Sequence, residues 1–198
     1  MHQSFESDPQ NDRTTPASSA MIVDALEAFA HAETLNDTLR VLEEQQAILL
    51  LPDTLTTIQM MIDDMFANNQ DGDARNWRQY LHLLKDALQR GINTAWSYFI
   101  TQQSNAAQAL EAVTTASTME HLYQIVIEKQ HSLLTDAALV MLDNNIQRQY
   151  SLAPPQIIEY WQQLLHLLED AQMRGIVIAW LTFKYQQPGD DADHQQSV

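Results

Sequence analysis

The feature that most constrains this chain is that it repeats itself. Residues 77–103, WRQYLHLLKDALQRGINTAWSYFITQQ, return 84 residues later as residues 161–187, WQQLLHLLEDAQMRGIVIAWLTFKYQQ. The register extends upstream without a gap, so that Ala25-Leu26-Glu27-Ala28 pairs with Ala109-Leu110-Glu111-Ala112 and Leu49-Leu50 with Leu133-Leu134. Between Ala25 and Gln103, 28 of 79 aligned positions are identical. A period of this kind reads as a tandem duplication, in which each copy must solve the same packing problem.

The type of structure follows from the spacing of apolar residues and the scarcity of breakers. Between polar ends the chain holds only Gly72, Gly91 and Gly175, and only Pro52, Pro154 and Pro155. Apolar residues three and four apart then predict an almost wholly helical body. In the first copy a helix is expected over about 20–32. Thr34 is placed to cap a second, carrying Leu35, Leu39, Leu42 and Leu49 on its apolar face. Pro52 suits the first turn of a third, where its missing N–H costs nothing. Leu55, Ile58, Ile62 and Phe66 share a face there. Asn68 to Asp73 reads as a turn built on Asp71-Gly72, with Asp73 capping a fourth helix that carries Trp77, Leu81, Leu84 and Leu88. Gly91 followed by Ile92 fits a glycine helix end, and a last helix is expected over 92–103. The second copy repeats the plan. Thr118 stands for Thr34, and Leu139, Leu142, Ile146 and Tyr150 stand for the apolar face of the third helix. Ser104-Asn105 is the expected junction.

These residues resemble a family. The carriers are Ala25 to Phe29, Val41 to Glu44, Leu49-Leu50, Asp71 to Ala74, Leu83-Leu84 and Arg90 to Trp96. The pattern is similar to helical repeats of cyanobacteria and filamentous bacteria. Those accompany tetratricopeptide (TPR) repeats, caspase-like CHAT peptidase domains or nucleotide-binding signalling domains. The second copy lacks the Gly-Asp turn. The resemblance implies a helical scaffold for protein interaction and, with no peptidase or nucleotide-binding domain in this chain, no catalysis. The expected fold is all-α, with two tandem repeats of about five helices each, at 20–103 and 104–187, stacked as a TPR-like or α-solenoid-type domain. Residues 1–19 and the acidic residues 188–198 are expected to be disordered tails.

Composition removes several functions. The chain carries ten basic residues and a net charge of −16. Nucleic-acid binding depends on neutralising phosphates with Lys and Arg, and no basic patch is visible. Anionic membrane surfaces are disfavoured for the same reason. No run reaches the roughly 20 apolar residues of a membrane span, and the N-terminal residues lack the pattern of a signal peptide. A cytoplasmic location is expected. Cysteine is absent, which excludes disulfides and thiol chemistry.

The candidates for chemistry are few. His82 and Asp86, and their repeats His166 and Asp170, are each four apart on one helix face. Two such pairs facing each other have the ligand types for one metal ion. The structural reading gives the aspartates to Arg90 and Arg174, four residues on, and the histidines to backbone carbonyls, and it is preferred here. Glu128 and His131 have a di-iron spacing, but the motif is needed twice and Ala47 stands where the second histidine belongs. Ala67 to Arg78 has a glycine where a calcium loop needs one, yet lacks carboxylates at its first and last positions. No cofactor and no metal are expected.

Differences between the copies carry more. Trp77, Trp96, Trp161 and Trp180 recur and read as core. Met61 and Met65, however, face Asn145 and Gln149 in the alignment, and Val177, Leu181 and Tyr185 face Asn93, Ser97 and Thr101. Positions apolar in one copy only are not required by the repeat. They lie between copies, or on a surface meeting another protein, or mark packing drift. Val177, Leu181, Tyr185, Met61 and Met65 are therefore the candidate partner-binding residues of a non-enzymatic adaptor or regulatory subunit. The partner is expected to be another protein, with a homodimer as one form. A metal-dependent protein and a self-assembling structural protein are the rival readings.

Overall fold

A computed structural model describes residues 18–186, with the side chains of Tyr185 and Gln186 left out; the rest of the two expected tails lies outside the described residues. Among these residues every regular element is a helix and there is no strand. The helices are α1 (Ser19–Ala30), α2 (Leu35–Glu44), α3 (Gln46–Leu49), α4 (Pro52–Ala67), α5 (Asp71–Arg90), α6 (Ile92–Thr114), α7 (Met119–Glu128), α8 (Gln130–Leu133), α9 (Asp136–Gln149), α10 (Pro155–Arg174) and α11 (Ile176–Gln186). The bounds of α7, α8 and α10 are those of α2, α3 and α5 moved by 84 residues, and α11 begins 84 residues after α6.

Local chemistry explains most of these bounds. The Thr34 hydroxyl accepts from the Asp37 amide at 3.1 Å, and the Thr118 hydroxyl accepts from the His121 amide at the same distance. Each satisfies a donor that the first helical turn leaves unpaired. Pro52 and Pro155 open α4 and α10. Gly91 and Gly175 break the chain between α5 and α6 and between α10 and α11, at φ/ψ of 82°/153° and 87°/150°. That region is closed to residues with a Cβ, so these glycines fix where both hairpins turn.

Several expectations are corrected. Leu49 lies not in α2 but in the separate turn α3, because the chain bends at Gln45. Asp71 and Gly72 belong to the first turn of α5, so Asp73 is not its cap; Asn69, at φ 58°, makes the preceding turn. Asparagine tolerates that conformation better than most residues. No break occurs at Ser104-Asn105, and α6 runs through to Thr114. Ala106, Ala109, Leu110 and Val113 continue a buried stripe there, so nothing favours an end.

The chain divides into two compact units between Thr54 and Leu55. In the first, α1, α2 and α3 pack on one another and bury Ile22, Leu26, Phe29, Leu42 and Leu49. The Thr54 hydroxyl donates to the Ile48 carbonyl at 2.7 Å and ties the end of this unit to α3. In the second, α5 packs along α6 and α10 along α11, while α9 lies against α5, α6 and α10. Leu122, Leu133, Leu139, Leu142, Leu164 and Leu168 are buried at its centre. Each large apolar side chain so buried stabilises by about 1.5–3 kcal/mol.

Packing, not pattern, decides the exceptions. Leu35, Leu88 and Tyr150 were expected on apolar faces and are about half exposed or more, at 48%, 55% and 65%. Trp180 is buried, whereas Trp77, Trp96 and Trp161 are only half-buried. The aromatic step recurs all the same, with Trp96 and Phe99 at 5.5 Å between ring centroids and Trp180 and Phe183 also at 5.5 Å.

Candidate interaction surface

Two helical hairpins, α5–α6 and α10–α11, carry most of the residues of interest. Each holds a cleft between its helices. The first, of about 710 Å3, has His82, Asp86, Arg90 and Phe99 on its walls, and the second, of about 380 Å3, has the matching His166, Asp170, Arg174 and Phe183. The first is also lined by Leu134 to Ala137, the turn from α8 into α9, and by Gln172 of α10. The Gln172 amide donates to the Leu134 carbonyl at 3.3 Å and holds that turn. The second cleft is lined, among the described residues, by residues of α10 and α11.

The duplicated His/Asp pairs sit in these clefts. Asp86 accepts from Arg90, and Asp170 accepts two hydrogen bonds from Arg174, as their spacing predicts. Arg174 holds the Asp170 carboxyl below the ordinary carboxylate range through these hydrogen bonds, and Asp170 in turn raises the Arg174 guanidinium. Both aspartates are thus engaged by arginine. His166 does not bond to a backbone carbonyl; its Nδ1 lies 3.2 Å from a Glu169 carboxylate oxygen. His82 is exposed. Among the described residues no group of three or more His, Asp and Glu is placed to hold a metal ion. Glu128 and His131 lie exposed near the α7–α8 bend.

The partner-binding candidates separate by exposure. Val177 and Leu181, one turn apart on α11, are 58% and 51% exposed. Tyr185 lies in the last turn of the same helix, with its side chain outside the described residues. Met61 and Met65 are on a different helix, α4, and are half-buried. Sequence reasoning missed two further exposed apolar residues, Ile178 on α11 and Met173 in the last turn of α10. The signal was present, since their first-copy partners are Thr94 and Gln89.

Across the second unit, charge ties α5 to the later helices. Arg75, almost fully buried, reaches Glu169 of α10 at 2.8 Å. Arg78 donates from Nε to Asp136 of α9 at 2.6 Å and stacks over the Phe66 ring at 5.3 Å. The Asp143 carboxylate of α9 lies over Gly72, where a Cβ would come within 2.6 Å of its oxygen. No protein-family model matches the chain, and neither does any curated protein or solved structure. No described helix is long and apolar enough to cross a membrane.

Proposed function

We propose that the chain is a non-enzymatic protein–protein interaction module, an adaptor or regulatory subunit built from two tandem helical repeats stacked in a TPR-like manner. The observation that carries this reading is the apolar face of α11. Val177, Ile178 and Leu181 are exposed there, at positions where the first copy carries Asn93, Thr94 and Ser97. Contiguous exposed apolar side chains mark surfaces that meet another protein. The strong negative charge fits a partner reached without nucleic acid or anionic lipid.

Leu181→Asp is expected to leave helix content and thermal stability unchanged and to abolish capture of a partner from the native cell extract, read by mass spectrometry against wild type. Trp180→Asp, one residue away but buried, is expected to unfold the second-copy helices, at a cost above about 4 kcal/mol. Equal unfolding by both changes makes the α11 stripe internal core and ends the proposal.

A further inference from the structure

The corner between α4 and α5, residues 66–73, and the corner between α9 and α10, residues 150–157, occupy the same place in the two copies. The first is polar, with Asn68, Asn69, Gln70, Asp71 and Asp73. It meets α9, and residues 69–73 share a hollow of about 350 Å3 with Val140, Asp143 and Asn144. The second corner has Leu152 and Ile157 in place of Asn68 and Asp73, and Pro154 and Pro155 in place of Gln70 and Asp71. Tyr150, Leu152 and Ile157 are 65%, 80% and 47% exposed there.

Both corners keep an aromatic ring, Phe66 in the first and Tyr150 in the second. Phe66 is half-buried, and the Arg78 guanidinium lies over its ring at 5.3 Å while Asp136 of α9 accepts from the same arginine at 2.6 Å. The negative face of an aromatic ring attracts a cation in this position. In the second copy Gln162 stands where Arg78 stands, and it is exposed. The Tyr150 ring therefore lacks the cation that its first-copy counterpart has. Glu159, one turn before Gln162 and exposed, puts a carboxylate on the same face of α10. Arg148 is turned to a different groove, which it lines with Leu110 and Trp161.

We propose that the α9–α10 corner docks a basic segment of another protein, which lays an arginine over the Tyr150 ring and an apolar side chain on Leu152 and Ile157, with Glu159 supplying the opposing charge. The first corner shows within this chain how the aromatic position is covered, and the partner supplies the arginine that the second corner lacks. Charge selects the kind of partner. A net charge of −16 draws a basic segment in and holds a second copy of this chain off. The apolar residues give the contact area, and the arginine and Glu159 give it orientation. This surface is separate from the α11 stripe and does not depend on what that stripe binds.

The test is an NMR titration of the full chain with two capped, alanine-based helical peptides. Each carries a leucine and, four residues away, either an arginine or a glutamate. The arginine peptide should shift the signals of Tyr150, Leu152 and Ile157 to saturation, and the glutamate peptide should bind at least about tenfold more weakly. Tyr150→Leu keeps the apolar surface and removes the ring, and should weaken the arginine peptide about two- to fivefold. Gln162→Arg rebuilds the cover seen over Phe66 and should weaken it at least as much. Leu181→Asp should leave this binding at the wild-type level. Circular dichroism checks that these substitutions leave the fold intact. An arginine peptide that produces no saturable shift at the corner overturns the proposal. So does a glutamate peptide that binds equally well, or a Tyr150→Leu chain that binds the arginine peptide as wild type does. Loss of the peptide in Leu181→Asp places it on α11 instead, which also overturns the proposal.

Discussion

The hairpins α5–α6 and α10–α11 have the same length of first helix, the same glycine break and the same Asp–Arg pair, yet they end in different surroundings. The outer face of α5 is covered by α9, and there it carries a buried arginine and a glycine that admits a neighbouring carboxylate. The matching face of α10 is exposed and carries Gln156, Glu159 and Gln162. On the second helix the contrast is reversed. Exposed positions of α6 are polar at Asn93, Thr94 and Ser97, and the same positions of α11 are apolar. The two hairpins thus share their turn and their Asp–Arg pair while the residues on their outer faces differ with what covers them.

The largest expected effect breaks this comparison at the ion pair. Arg75→Ala leaves Glu169 with only the exposed His166 beside it and should cost about 3 kcal/mol by urea denaturation, at the low end for a broken buried pair because Glu169 keeps some solvent contact. Glu159→Ala, at the equivalent exposed position, should stay within about 0.5 kcal/mol. Equal costs at the two sites mean that the faces of α5 and α10 do not differ as described.

A smaller effect tests what the hairpins share. Gly91→Ala and Gly175→Ala each force a Cβ into a conformation nearly closed to it, at a cost of about 1–3 kcal/mol. No neighbouring atom lies within 4 Å of a Cβ at either site, so the cost is backbone strain and should be the same in both. A clear inequality in thermal melting breaks the equivalence of the two turns.

The smallest effect is electrostatic. With its folded value lowered by Arg174, Asp170 favours the native state above its unfolded titration range. That contribution is lost as pH falls through the lowered folded value. Carboxyl chemical shifts should show Asp170 titrating below the ordinary range, and Arg174→Gln should move it upward. An unchanged titration in that variant removes the arginine as the cause.

What was legible in the sequence was local. The 3.6-residue spacing, Thr34 and Thr118 as caps, Pro52 at a helix start and Gly91 and Gly175 at helix ends each act through atoms a few residues away, and a sequence contains that information outright. The 84-residue offset likewise aligned His82 and Asp86 with His166 and Asp170, which line the two clefts. The asymmetry between copies pointed to Val177 and Leu181, which are exposed, and also to Met61 and Met65, which are half-buried. An alignment shows that a position differs without showing what lies beside it. Other features depended on residues distant in the chain. Leu88 fits the apolar stripe of α5 and is nevertheless 55% exposed. Arg75 reads as an ordinary surface arginine until Glu169, far along the sequence, is brought beside it. Gly72 reads as a turn residue and is a gap for Asp143. Ser104-Asn105 reads as a junction and lies inside α6, where a continuing buried stripe outweighs two weak helix formers. Helix type and helix ends are settled by neighbours along the chain. Burial, pairing and continuity are settled by neighbours in space, and only the tertiary structure supplies those.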